Sequence, residues 1–414
     1  MSEAIRKSRK DRVLTAIEHK EPDRIPVDFS GHRSSGISAI AYAKLRKYLG
    51  LPEKPIRIYD PIQQIAIVDE DVLDIFGIDT IEMGRGFALE DKYWKEWRLS
   101  DGTPCYMPVW AYPERGENEW IVRSRSGRVI ARMPDGCLYF EQAYYPFAEK
   151  DDIENLEKYF DEIMWFTLAS PPGPIASGPD GDKILAEGAA KLRASTDRAI
   201  IALFGGNLLE TGQFFYRNDN FLLLLAEDPE RAERFLDNLV EIHLKNLEKF
   251  LAAVGPYIDI ILFGDDLGMQ KGPQISPQMY RRFFKPRHAR MWKRVKELAN
   301  VKIMLHCCGG VRELLNDLIE AGLDAINPVQ ISCKGMNPEE LKREFGDRLT
   351  FWGGGCDTQT VLPYAKPSEV YEHVSRLVEI WHKGGGFVFQ QVHNIQAYVP
   401  PQNIVAMYKA VNRG

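Results

Sequence analysis

No apolar run of about 18 residues occurs in this 414-residue chain, so a membrane-crossing helix is not expected. The first dozen residues, Met1 to Arg12, are charged from the start and lack an apolar signal core; a cytoplasmic location is the expectation. Cysteine is scarce. Six occur, two of them adjacent, which argues against a secreted disulfide framework and for free thiols in a reducing compartment. Cys105, Cys137 and Cys333 have no partner pattern and read as structural. A basic face is missing too: 53 Lys and Arg stand against 59 Asp and Glu, for a formal charge of -6. With no Lys/Arg cluster interleaved with aromatics, nucleic acid is excluded as a partner class. Internal repeats and low-complexity tracts are also absent. What is present is ordinary, 44% hydrophobic and 27% charged residues, and long enough to bury a large core.

From about residue 199 the chain alternates short β-branched runs with amphipathic helical stretches. Residues 199–204, 258–263, 301–306, 325–328, 349–352 and 386–390 read as strands; 229–252, 277–299, 311–321, 338–345 and 367–382 read as helices, several opened by proline. Such alternation implies a parallel sheet. Residues 24–29 and 78–83 bring the strand count to about eight, the number that closes a barrel. The expected class is therefore α/β, a (β/α)8 barrel of the TIM type forming one domain over 1–414, with an open doubly wound sheet as the other architecture. Residues 92–140 break the rhythm with aromatic, alternating text around Ser100-Asp101-Gly102 and Ser126-Gly127, hairpin signals that predict an inserted antiparallel β segment. Residues 150–198 read as a helical and loop connection, with Pro171-Pro172-Gly173-Pro174 its most linker-like part.

Four motifs close predicted strands and so fall at one barrel mouth: Gly264-Asp265-Asp266-Leu267-Gly268, His306-Cys307-Cys308-Gly309, Gly353-Gly354-Gly355-Cys356-Asp357 and His393-Asn394-Ile395-Gln396. In a strand, residues two apart share a face, so His306 and Cys308 project together while Cys307 points away. An imidazole beside a thiolate suits zinc; a buried thiol pair next to a hydrogen-bonded core histidine is the plainer alternative. A catalytic zinc takes three protein ligands and keeps one position open, and the third ligand is left between His393 and Cys356. Asp265 and Asp266 form a carboxylate pair suited to acid/base work, unless one caps a turn and the other binds a cation. After the first strand, Asp28-Phe29-Ser30-Gly31-His32-Arg33-Ser34 makes a polar loop at the same mouth.

Taken in order, Phe263-Gly264-Asp265-Asp266-Leu267-Gly268, Ile275-Ser276-Pro277, Phe283-Phe284-Lys285-Pro286, His306-Cys307-Cys308-Gly309 and Ala321-Gly322-Leu323-Asp324-Ala325-Ile326-Asn327-Pro328 resemble the uroporphyrinogen decarboxylase superfamily, across nearly all of residues 199–411. The resemblance implies a β/α barrel. Its porphyrinogen decarboxylases carry, after the first strand, a loop of the type Met-Arg-Gln-Ala-Gly-Arg; here that stretch is Phe29-Ser30-Gly31-His32-Arg33-Ser34-Ser35. Its corrinoid-linked methyltransferases use a zinc held by a His-x-Cys pair, matched by His306 and Cys308, and a late third ligand that is usually Cys. In this chain that position holds His393, which keeps Cys356 in play.

The resemblance thus implies a zinc-dependent methyltransferase acting on a small methylated substrate of the methoxylated aromatic kind. No Asp-x-His-x-x-Gly corrinoid signature occurs, so the corrinoid (cobalamin) cofactor would arrive on a separate corrinoid protein. Glu210, Asp265 and Asp266 are the candidates for catalytic proton handling; His32, Phe29, Asn394 and Gln396 for substrate contact; Trp110, Tyr145, Phe204, Phe214 and Phe215, with Phe29, for a ring-binding wall. A metal-free decarboxylase and a non-catalytic tetrapyrrole or corrinoid-protein binder are the other readings. The direction of transfer stays open, as does a homodimer.

Overall fold

The computed structural model describes residues 8–412; of the charged N-terminal stretch, residues 1–7 lie outside the described residues. Seven strands form one parallel sheet: β1 (Thr80–Glu82), β2 (Ala199–Gly205), β3 (Ile260–Gly264), β4 (Lys302–His306), β5 (Ala325–Asn327), β6 (Thr350–Trp352) and β7 (Phe387–Val388), each paired with the next. Residues 26–28 close the ring. Val27 bridges Phe389 in parallel, and its carbonyl accepts from the Asp79 N–H at 2.8 Å. The eighth position is a single bridge rather than the expected strand over 24–29. Pro26 has no N–H to give, and the Val27 N–H goes instead to the Asp79 carboxylate at 2.9 Å.

The strands are buried on both faces, which is why their text is nearly continuous in apolar residues. Ile201, Ile260, Leu262, Met304, Ala325, Trp352 and Val388 fill the barrel, closed below by Val13 and Ile17 of the first helix. Alternate residues, among them Ile200, Ile261, Phe263, Ile303, Leu305 and Phe351, face the surrounding helices. The same alternation turns Gly264, His306 and Asn327 inward at the carboxyl end, where they are register neighbours.

Helix formation follows local rules. Pro229–Val254 starts at an Asp228 cap that accepts from the Arg231 N–H, with proline in its first turn. Its buried residues, Ala232, Phe235, Leu236, Leu239, Val240, His243 and Leu247, recur at helical spacing. The expected helix over 277–299 has a π turn at Tyr280–Phe284, just before Pro286, which cannot donate to the preceding turn. No helix among the described residues is long and apolar enough to cross a membrane.

Within 92–140, Trp94–Arg98 pairs with Pro104–Pro108, and Glu119–Arg123 with Val129–Pro134, both antiparallel. One addition escapes sequence reasoning. Ile56–Asp60 joins the first hairpin by parallel pairing with Pro104–Pro108, a contact between distant segments that no local alternation reports. Residues 150–198 hold short turns, Ile153–Glu162 and Met164–Thr167, and the helix Gly181–Ser195.

Candidate metal centre and adjoining cavity

His306 ends β4, and the Cys308 Sγ lies 3.4 Å from its Nε2. His393, in the loop after β7, brings its ring centroid to 5.6 Å from that of His306. One donor atom from each of His306, Cys308 and His393 lies within 4.8 Å of the others. Two ligands on one tetrahedral zinc stand roughly 3.5 Å apart at the usual Zn–N and Zn–S lengths, so the His306–Cys308 separation fits an ion between them. Cys307 turns away and accepts from the Leu267 N–H at 3.3 Å.

The orientation of His306 is imposed by Asn327. The Asn327 Nδ2 donates to the Trp352 carbonyl and to Gln390 Oε1, each at 2.8 Å. Its Oδ1 is therefore the atom that faces His306 Nδ1 at 2.7 Å. That contact needs a proton on Nδ1, which leaves the Nε2 lone pair directed at Cys308. Ser34 supports the same oxygen at 3.0 Å, and His32 Nε2 donates to Gln390 Oε1 at 3.0 Å. Behind them Asp28 lies 3.3 Å from His32 and accepts from the Trp352 indole at 2.8 Å.

Burial dominates the electrostatics of the three donors. It holds His306 below the usual imidazole range against the pull of Asp266, and together with the neighbouring His306 lowers His393 to about 3. Burial first, then the Asp266 carboxylate, pushes the Cys308 thiol well above its ordinary value. Neutral imidazoles and a protonated thiol are a donor set that a dication would fit, with the thiol giving up its proton were one bound.

Beside them the three acids part company. Asp266 accepts from the Cys308 N–H at 2.7 Å and lies 3.8 Å from His306 Nε2. Glu210 accepts from Asn207 at 2.7 Å and from the Asp266 N–H at 3.0 Å; burial, then the charges of Asp266 and Asp265, raise it well above the carboxylate range. Asp265 points away from the adjoining cavity. Fully buried, it accepts the N–H groups of Leu209 and Glu210 at the start of helix Leu209–Tyr216 and lies 3.4 Å from His288. Its charge faces that helix terminus and complements it.

A cavity of about 800 Å³ opens from the centre; His306, His393, Glu210, Asp266, His32 and Arg33 line one end of it. Phe160, Trp165, Phe166, Phe204 and Phe214 line its walls, with Trp165 stacked on Phe214 at 5.6 Å. Several sequence candidates lie elsewhere. Cys356 is fully buried, its Sγ resting 3.7 Å from the Asp357 carbonyl, and is outside the three-donor group. Phe29 is core, packed on Phe76 and Tyr408, and Phe215 is core against Phe147 and Phe235. Asn394 donates to Gln63 at 2.6 Å, and Gln396 accepts from the Tyr139 hydroxyl; the two tie down the His393 loop and do not line the cavity. Asn327, which orients His306, is missed by sequence reasoning, although a polar side chain closing an apolar strand is its signal. Trp165 and Phe166 carry no such signal, because only the path of the 150–198 connection brings them over the mouth.

The family model Uroporphyrinogen decarboxylase (URO-D) matches residues 212–414. A uroporphyrinogen decarboxylase from Alkalilimnicola ehrlichii is 24% identical over 193 residues, 46% of this chain and 49% of that protein. The matched region thus spans about half the length of that curated relative. Among solved structures, a methyltransferase from Methanosarcina mazei superposes with a TM-score of 0.59 at 15% identity, covering 98% of each chain. At that identity the likeness shows a shared fold.

Proposed function

With residues 212–414 forming a uroporphyrinogen decarboxylase (URO-D) family domain, we propose that the protein is a zinc-dependent methyltransferase that moves a methyl group between a small methoxylated aromatic compound and a corrinoid held by a separate protein. The observation that carries this reading is the trio His306, Cys308 and His393, with donor atoms within 4.8 Å of one another beside an aromatic-walled cavity. His306, Cys308 and His393 would hold the zinc, which would supply a Lewis acid for a substrate oxygen.

The chain's own residues do the rest. Asn327 keeps His306 Nε2 turned toward Cys308. The aromatic walls hold a ring and exclude water. Glu210, in the cavity wall with its proton affinity raised by burial and by the neighbouring Asp266 and Asp265, is the group placed to give a proton to the oxygen that loses its methyl group. A polycarboxylate decarboxylase is less well supported, since the loop after the first barrel position offers a single arginine, Arg33, whose Nη1 already pairs with Asp60 at 3.2 Å.

Two measurements test the proposal. Purified protein is expected to carry about one zinc per chain, as for a single three-ligand site. With a reduced corrinoid protein it should methylate the corrinoid from a methoxyaromatic donor, and lose that activity to a chelator. A metal-free protein that binds no added zinc refutes the reading, as does transfer indifferent to the chelator.

A further inference from the structure

The cavity lies on both sides of one barrel strand. Along β2, Leu203 packs toward the barrel interior, while Phe204 points outward with its ring 5.7 Å from Phe250 and 5.4 Å from Phe263. Both faces line the same cavity: Leu203 and Leu262 on the metal side, Phe204, Phe250 and Phe263 on the helix side. At the carboxyl end of this strand, residues without side chains leave room for the space to pass from one face to the other. Gly205 and Gly206, which also line it, supply that gap, with φ of +85° and +64°. A Cβ on Gly205 would meet only Asn207 within 4 Å, and one on Gly206 would press on the Phe263 ring at 2.9 Å.

The part beside His306 and His393 is the inner lobe; beyond the glycines, the lining of the outer lobe passes to helices Gly181–Ser195 and Pro229–Val254 and to the segment that reads as a linker, with Ala176 and Leu185 among its residues. Asp182, Asn246 and Lys249 form its rim. Neither Asp182 nor Lys249 forms an ion pair among the described residues. Size matters here, because a closed apolar cavity of about 150 Å³ holds one benzene ring and this cavity is about 800 Å³. A single methoxybenzene leaves most of it unfilled.

We propose that the substrate is a two-ring or comparably elongated aromatic methyl ether. Its methoxylated ring lies in the inner lobe beside His306 and His393, its linkage crosses Gly205–Gly206, and its second ring lies against Phe204 and Phe250, with polar substituents at the Lys249 rim. This deepens the proposed function and rests on it for the identity of the reacting group.

Binding and turnover separate the two claims. Calorimetry on the zinc-loaded protein compares 2-methoxyphenol with 2-methoxy-4-phenylphenol; the two-ring probe should bind at least about ten-fold tighter, as burial of a further ring allows. Leu185→Trp, which fills the outer lobe, should bring the two-ring probe down to the single-ring affinity. Ala176→Leu serves if that variant fails to fold. Equal affinities in the unaltered protein, binding of neither probe, or a preference that survives both variants overturns the inference. Methyl transfer from 2-methoxyphenol with no two-ring preference leaves the methyltransferase standing without it. A clear two-ring preference with no methyl transfer from either probe supports the bipartite cavity and counts against the methyltransferase.

Discussion

Replacing Asn327 by alanine removes more than one contact. Its side chain is fully buried and makes four hydrogen bonds: Oδ1 to His306 Nδ1 and Ser34 Oγ, Nδ2 to the Trp352 carbonyl and Gln390 Oε1. Ser34 and Gln390 are themselves buried but keep His32 as a partner, so the groups left bare are His306 Nδ1 and the Trp352 carbonyl. Each buried group left without a partner costs about 1–3 kcal/mol. Water entering the vacated volume will satisfy some of them, so a net loss of about 3–5 kcal/mol is expected in urea unfolding of the metal-free protein. The second consequence is specific to His306. Its ring loses the acceptor that holds the proton on Nδ1, and such supporting contacts are worth roughly 10–100-fold in metal affinity, about 1.4–2.7 kcal/mol. Competition with a chromophoric chelator measures that shift directly. A variant with zinc affinity within about three-fold of the unaltered protein, well short of that range, would refute the view that Asn327 sets the imidazole. An unfolding free energy lowered by less than about 1 kcal/mol, no more than a single unmade bond, would refute the accounting of its four contacts.

Three further outcomes follow from the geometry. His393→Ala should leave the purified protein with substoichiometric zinc, while Cys356→Ser keeps its full complement; metal analysis showing the reverse would reassign the third ligand. Asp265→Ala strips the buried acceptor from the Leu209 and Glu210 N–H groups and should cost about 2–4 kcal/mol in denaturant unfolding, so unchanged stability would return Asp265 to the catalytic candidates. Burial above all raises Glu82 to about 7. Its folded form holds a proton that the unfolded chain releases near pH 4.5, so its contribution to stability is complete below that pH and is lost as pH rises to about 7. Glu82→Gln should therefore gain about 3 kcal/mol relative to the unaltered protein between about pH 4 and pH 8, and a difference that does not change with pH would show that Glu82 is not held protonated.

Much of this architecture is legible in the order of residues alone. Strands buried on both faces write themselves as continuous apolar runs, and helices as apolar residues three and four apart, so β2 to β7 and the long helices stand where the text puts them. The pairing of His306 with Cys308 is also local, because two residues apart at a strand end is a distance the backbone itself sets. What the text leaves open is everything that depends on which distant segments meet. His393 rather than Cys356 joins the pair because the barrel closes through Val27 and Phe389, swinging the loop after β7 over the mouth, while Cys356 is drawn under its own glycine turn. Asp265 and Asp266 are neighbours with different surroundings for the same reason: one meets a helix terminus from another part of the chain, the other meets the cavity. Residue types and their periods decide the elements and the donor chemistry; only chain closure decides which donors share one point in space, since that contact is made across long loops whose geometry no short window of residues encodes.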